Sequence, residues 1–220
     1  MTEPIIDSRF ETLYEDADFL AVSKSGNCPV HEGGLFYENS LTKLLEKKLG
    51  YRVYPVYRLD KETSGIIVFA KSRDKVKKAE IMSKEYLGVC EGIIKERIEI
   101  NEPLGEIKGD NVNWKIAVIP LGKKAVTIIE PIKSKNNMTL LRITPLTGRQ
   151  HQIRAHLKHI NHSIVGDKLY GDSDKNFKDY LEGKKLTLPI NRQALHMHKI
   201  ILNGKTIISP LPKEIEELLN

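Results

Sequence analysis

Val56-Tyr57-Arg58-Leu59-Asp60-Lys61-Glu62-Thr63-Ser64-Gly65 stands between two short apolar runs. One run enters it from Val53, and the other, Ile66-Ile67-Val68-Phe69-Ala70, leaves it. Both are rich in β-branched or aromatic residues and bounded by polar ones, the pattern of strands. Thr63-Ser64-Gly65 can turn the backbone and bond back to it. Asp60 therefore falls on a loop between two strands, with Arg58 two residues before it. An acid in such a place is ordinarily a solvated loop residue, so Asp60 gains meaning only from the partners that the rest of the chain supplies.

The chain has 220 residues, 40% of them hydrophobic and 29% charged, the composition of a globular protein with enough apolar side chains for a core. Thirty-five basic residues against 29 acidic ones give a net charge of +6. The distribution says more than the total. Residues 131–166 contain no acid, yet they carry Lys133, Lys135, Arg142, Arg149, Arg154, Lys158 and four histidines. Surfaces usually mix signs, so a long stretch of one sign predicts a basic face that meets an anion. Cys28 and Cys90 form neither a disulfide framework nor a metal spacing, which fits a reducing compartment. Met1-Thr2-Glu3-Pro4 lacks the basic start and apolar core of a signal peptide, and no apolar run approaches membrane-spanning length. A cytoplasmic location is expected.

The chain before the central stretch reads as a strand, an acidic turn and a second strand, Leu13-Tyr14-Glu15-Asp16-Ala17-Asp18 leading into Phe19-Leu20-Ala21-Val22. Leu41, Leu44, Leu45 and Leu49 share one face of a helix, with Asn39 or Ser40 as its cap and Gly50 as its stop. Beyond the central stretch, Ser72 caps an expected helix over 72–84. Strands follow over 85–90, 113–119, 125–130 and 138–144, the last three expected to be antiparallel neighbours because their links are short. Pro145-Leu146-Thr147-Gly148 is a turn, and 149–160 has helical character with Ile153, Leu157 and Ile160 on one side. Gly166 to Gly171 is a compact loop. Asn203-Gly204 marks a hairpin between 195–202 and 205–208, and a helix closes the chain over 213–219. No repeat and no linker divides residues 1–220, which predicts one α+β domain with an extensive, mostly antiparallel sheet flanked by helices.

Two coincidences carry little. Ser40-Leu41-Thr42-Lys43 matches the S-x-x-K pattern of serine β-lactam enzymes, but no Lys-Thr-Gly follows, and a helix cap explains it. His151, His156, His159 and His162 invite a metal, yet no carboxylate or cysteine lies near them in sequence and H-E-x-x-H is absent. Hydrogen-bonding or phosphate-facing histidines are the better expectation. Arg149 opens the expected helix, where backbone N–H groups favour anions.

These blocks together resemble a known family. Tyr57-Arg58-Leu59-Asp60-Lys61-Glu62-Thr63-Ser64-Gly65 resembles the HRLD-x-x-TSG signature of the RluA family of RNA pseudouridine synthases, with Tyr57 where the family usually has histidine. Lys84-Glu85-Tyr86-Leu87 resembles the family's lysine-x-tyrosine strand, and residues 147–156 resemble its TGR-x-HQIR-x-H motif. Gly166 to Gly171, Arg192 to His196, and the first strand with Lys24 resemble further blocks, in the expected order. Some members begin with a small S4-type RNA-binding domain, and the expectation here is the catalytic domain alone, with RNA held in a basic cleft of its own surface.

The resemblance implies isomerisation of uridine to its C-glycoside within structured RNA, ribosomal or transfer. It implies Asp60 as the essential acid, Arg154 as the cation that keeps it ionised, and Tyr86 as the platform for the extracted base. A desolvated carboxylate needs such a cation, and a guanidinium orients it better than an ammonium. The uridine must be flipped out at a cost of a few kcal/mol. Stacking on an aromatic ring returns about 1–3 kcal/mol. Arg58 is placed to fill the gap left by the flipped base, and Arg149, Lys158 and Lys168 are the implied phosphate contacts, which position RNA without reading it. No cofactor is needed, and neither a P-loop nor a dinucleotide fingerprint occurs in the chain. A monomer suffices. The rival readings are an RNA-binding factor that has lost turnover, favoured by the Tyr57 departure, and a metal- or serine-dependent hydrolase.

Overall fold

The structure is a computed structural model that describes residues 2–107, 115–171, 182, 184 and 186–220. Its elements in chain order are β1 (Phe10–Glu15), β2 (Phe19–Lys24), α1 (Leu41–Leu49), β3 (Tyr54–Pro55), β4 (Ser64–Ala70), β5 (Ile81–Glu91), β6 (Ile98–Asn101), β7 (Leu104–Glu106), β8 (Ile116–Val118), β9 (Val126–Lys135), β10 (Met138–Pro145), α2 (Gln152–His159), β11 (Leu195–Leu202), β12 (Lys205–Ile208) and α3 (Lys213–Glu216). The fold is α+β with extensive, mostly antiparallel sheet, as the sequence predicts. Two compact units divide it, Met1–Lys84 with His196–Pro210, and Glu85–Leu195 with Leu211–Asn220.

In the first unit β4 is the axis. Every one of its residues, Ser-Gly-Ile-Ile-Val-Phe-Ala, is buried, which explains its unbroken apolar run. β2 pairs antiparallel along it, bringing Lys24 opposite Gly65. β1 pairs antiparallel with β2, and β3 with the far end of β4. β11 runs parallel to the start of β4, His196 beside Ser64 and Met197 beside Gly65. That parallel approach needs glycine: φ of Gly65 is +103°, and a Cβ there would lie 2.3 Å from the Met197 carbonyl oxygen. β11 turns into β12 through Asn203 and Gly204, both at positive φ (47° and 78°), the two-residue hairpin read from the sequence. α1 begins at Ser40, whose Oγ accepts the Lys43 N–H at 3.4 Å, and ends at Gly50 with φ +78°. Ser40 and Lys43 are thus a helix cap.

The helix expected over 72–84 does not form. A single 3-10 turn covers Arg73–Lys78, and Ile81 and Met82 enter β5 instead. Ser72 makes no capping bond to a backbone N–H, and the turn Arg-Asp-Lys-Val-Lys-Lys buries none of its residues, so nothing repays a helix there.

In the second unit β5, β10, β9 and β6 pair antiparallel in that order. The sequence predicts β8 beside β9. It pairs instead with β7 in a separate two-stranded sheet, and Asn113 and Trp114 of the expected strand lie outside the described residues. Leu104, Ile116, Ala125, Ala155 and Tyr170 form a buried cluster between that small sheet and α2. α2 is shorter than expected and more deeply set: Gln152 through Leu157 are all buried, polar residues included. α3 spans one turn and continues as a 3-10 turn, Glu217–Leu219, with Ile215 and Leu219 buried. Among the described residues no helix is long and apolar enough to cross a membrane.

Candidate active-site residues

Asp60 lies on the loop that the sequence predicts, and three features fix that loop. Val56 N–H donates to Val68 as the chain enters it. The Asp60 carbonyl accepts the Thr63 N–H at 3.2 Å, closing a turn. Lys61 is held from the other side, its carbonyl accepting both the Cys28 N–H (3.0 Å) and the Lys24 ammonium (3.1 Å). Lys24 is 1% exposed and also donates to the Ser25 carbonyl at 3.1 Å. A buried ammonium needs such acceptors, so it draws the backbone one residue from Asp60 into a defined position. Leu59 is buried, Asp60 half-buried and Arg58 exposed, so the acid and the arginine share one loop.

Tyr57 has a structural role of its own. Its hydroxyl donates to the Ile66 carbonyl at 2.7 Å, and its ring carries the Lys84 ammonium 3.8 Å from the centroid. Burial pushes the Lys84 pKa down to about 8. The ring face works against that, because it attracts the charged form. The adjoining Ser64 hydroxyl is 2.9 Å from His196 Nδ1, while His196 Nε2 donates to the Ser209 carbonyl at 3.1 Å. Ser64 is therefore the donor to Nδ1.

Tyr86 and Arg154 belong to the second unit. Tyr86 is 8% exposed on β5, opposite Ile143 of β10. Arg154 on α2 forms a forked pair with Asp167, Nε to Oδ2 at 2.6 Å and Nη2 to Oδ1 at 2.9 Å. Asp167 also accepts the N–H groups of Leu169 (2.9 Å) and Tyr170 (3.0 Å), and the guanidinium lies 4.9 Å from the Tyr170 ring centroid. Sequence reasoning misses Asp167. The available signal is its position, the first acid after the acid-free stretch 131–166.

The residues around Arg154 explain their own motif. The Val126 N–H donates to Thr147 Oγ1, which donates to Gln152 Oε1, and that oxygen also accepts the Arg149 N–H. Gln152 Nε2 donates to the Val126 carbonyl and to Thr127 Oγ1, which lies 2.8 Å from His156 Nδ1. His156 Nε2 donates to the Glu102 carbonyl at 3.0 Å, which leaves Nδ1 to accept from Thr127. Burial pushes the His156 pKa below its ordinary value, in keeping with a neutral ring. His151 Nδ1 meets the Tyr170 hydroxyl at 3.0 Å and His162 Nδ1 the Glu91 carbonyl at 2.7 Å. Three of the four histidines are thus hydrogen-bonding residues.

Two expectations need correction. Arg149 does not open the helix; it precedes α2 by three residues, is exposed, and donates through Nε to the Lys124 carbonyl at 3.0 Å. The acid-free stretch is also not a uniform basic face. Arg154 is buried against Asp167, and Arg142 lies 3.6 Å from both Glu85 and Glu130. Strand pairing and the loop after α2 bring in acids from outside the stretch. Lys158 and Lys168 are partly exposed and donate to the carbonyls of Gly171 (3.1 Å) and Asn191 (2.9 Å).

Residues 18–159 match the family model for RNA pseudouridylate synthase. An "uncharacterized RNA pseudouridine synthase" of Helicobacter pylori (strain ATCC 700392 / 26695) is 34% identical over 224 residues, covering 94% of this chain and 74% of its own. The tRNA pseudouridine synthase C of Haemophilus ducreyi is 30% identical over 233 residues, covering 96% of this chain and 94% of its own. The solved structure of human RNA pseudouridylate synthase domain containing 1 shares the fold at a TM-score of 0.73 with 20% identity, covering 96% of this chain and 86% of that one.

Proposed function

The chain belongs to the RNA pseudouridylate synthase family, and from that premise we propose that it isomerises uridines of ribosomal or transfer RNA with Asp60 as the reacting carboxylate. The observation that carries the assignment of Asp60 is its loop, anchored by the buried Lys24 at the carbonyl of the next residue. A half-buried acid on a loop so fixed is built for chemistry that needs position. In the reaction the C1′–N1 bond of the uridine breaks, the base turns, and a C1′–C5 bond forms. A proton leaves C5 and one is taken up at N1, so substrate and product are isomers and no cofactor enters the balance.

Asp60 acts at the sugar, and Arg154 keeps it ionised. The fork to Asp167 engages Nε and Nη2 of Arg154, and a planar guanidinium carries more donors than one carboxylate can take, so the same cation can serve two acids. Tyr86 stacks on the extracted base, and Arg58, exposed two residues from the acid, fills the gap in the RNA. Arg149, Lys158 and Lys168 contact phosphates. Residues 1–220 work as one catalytic domain, since the matched stretch 18–159 runs across the boundary between the two compact units. The protein acts as a monomer in the cytoplasm. The Haemophilus ducreyi relative, similar along 94% of its own length, makes transfer RNA the first substrate to try.

Release of tritium from C5-labelled uridine in RNA tests the reading. Wild-type protein releases it in the presence of chelator and without nucleotide. Asp60→Asn binds the same RNA and releases none. Turnover by the asparagine variant removes Asp60 from the chemistry, and binding without any wild-type release favours an RNA-binding factor.

A further inference from the structure

Four of the cations named above meet oxygen acceptors within the protein: Lys24 the Lys61 carbonyl, Lys158 the Gly171 carbonyl, Lys168 the Asn191 carbonyl, Arg154 the Asp167 carboxylate. Lys84 differs. Among the described residues its ammonium contacts no carboxylate and no carbonyl; what it contacts is the ring of Tyr57, at 3.8 Å from the centroid. The ring cannot swing away, because the Tyr57 hydroxyl is tied to the Ile66 carbonyl at 2.7 Å. A desolvated ammonium on an aromatic face keeps its three donors unspent, and an anion is the ligand that satisfies them. The ring belongs to the residue before Arg58, on the loop of Asp60.

We infer that Lys84, seated on the Tyr57 ring, is a further RNA-binding residue that takes a phosphodiester oxygen of the substrate beside the Asp60 loop. The inference rests on the reading of the chain as an RNA isomerase and adds to it a contact that gives the tyrosine at position 57 a purpose. A histidine there offers a smaller ring that itself titrates near neutral pH; a tyrosine offers a larger face, tied here through its hydroxyl. Burial pulls the Lys84 pKa to about 8, with no charged neighbour contributing. Loss of the proton as pH rises through that value removes the charge that phosphate needs. Phosphate in turn favours the charged form, which moves the midpoint upward in the complex.

Equilibrium binding of unmodified transfer-RNA transcripts tests this in wild type, Lys84→Met and Lys84→Arg, across salt and across pH 7–10. Each phosphate neutralised contributes about 0.7–0.9 to the slope of log affinity against log salt, so Lys84→Met is expected to lower the slope by that amount. Wild-type affinity is expected to fall as pH rises above about 8, and Lys84→Arg to hold its affinity over the same range. An unchanged salt slope in Lys84→Met, or the same pH dependence in wild type and Lys84→Arg, overturns the inference. Intact binding with a slower single-turnover rate also overturns it, by making Lys84 a positioning residue for Tyr57. If Lys84→Met does not fold, the comparison of wild type with Lys84→Arg decides. Tritium release by the wild type is scored separately, so failure of the isomerase reading is distinguished from failure of the phosphate contact.

Discussion

Arg154 and Asp167 form a fork of two hydrogen bonds, 2.6 and 2.9 Å, between side chains that are 6% and 0% exposed. The carboxylate is also held by two backbone N–H groups from the loop it sits on. The guanidinium therefore has one orientation, set by a partner thirteen residues downstream. A guanidinium held on one edge by a carboxylate keeps its remaining donors aimed without help from a ligand.

Asp167→Asn keeps the shape and removes the charge. It takes the opposing charge of the fork from a buried guanidinium, a loss of up to about 3–5 kcal/mol for pairs of this kind. Chemical denaturation is expected to show that loss. Activity at a temperature where the variant is still folded is expected to fall as well, through the orientation of Arg154. An Asp167→Asn protein as stable as wild type contradicts the buried-pair account.

Lys24→Met removes the ammonium that draws in the Lys61 carbonyl while keeping the side chain's length and apolar stem. Lys61 retains the Cys28 N–H. Stability is expected to change by no more than about 1–2 kcal/mol, the worth of lost hydrogen bonds partly offset by an easier burial. Turnover is expected to fall about a hundredfold with RNA affinity unchanged, since small displacements of a reacting group carry penalties of that order. Loss of affinity with turnover intact would show that the loop serves RNA binding and not the acid.

The sequence displays its local order more fully than its long-range pairing. The β11–β12 hairpin, the cap and stop of α1 and the strands around Asp60 rest on neighbours in sequence, and each is legible from turn chemistry and apolar pattern. The 3-10 turn at Arg73–Lys78 reads as a longer helix because helix spacing is a weak signal where no face becomes buried. β8 is misplaced by sequence because the short links on either side do not say which sheet a strand joins. The motifs single out Asp60, Tyr86 and Arg154 as candidates, yet they do not reveal Asp167 or the buried role of Lys24, whose partners are fixed by folding. The histidines of 151–162 look alike in sequence; only the three-dimensional network separates His156, neutral between Thr127 and Glu102, from a metal ligand.

His156 predicts the direction of acid sensitivity. Burial lowers its pKa from the ordinary 6.5 in the folded protein. Below pH 6.5 the unfolded chain takes up a proton that the folded chain refuses, so the unfolded state binds more protons and stability rises with pH in that window. The contribution is complete above pH 6.5 and is lost as pH falls toward the lower folded value. Unfolding free energies measured between pH 7 and pH 5 are expected to decline. His156→Gln, which does not titrate, is expected to be less stable at pH 7 but to show a shallower decline. Equal slopes in the two proteins would place the acid sensitivity elsewhere.

Gly65 and Gly204 separate the two reasons a glycine is needed. Both have positive φ, 103° and 78°. Around Gly204 nothing lies within 4 Å of an added Cβ, so Gly204→Ala bears only the backbone penalty, about 1–2 kcal/mol. At Gly65 the same methyl meets the Met197 carbonyl oxygen at 2.3 Å and its nitrogen at 2.7 Å, both backbone atoms of the paired strand β11. Neither can yield without opening the parallel ladder that seats Ser64 beside His196. Gly65→Ala is therefore expected to lose more than about 3 kcal/mol. Because Gly65 lies five residues after Asp60, the surviving folded fraction is expected to release tritium slowly. Thermal melts of the two alanine variants, side by side, measure the difference. Similar melting temperatures for both would mean that β4 and β11 do not approach as closely as the register requires.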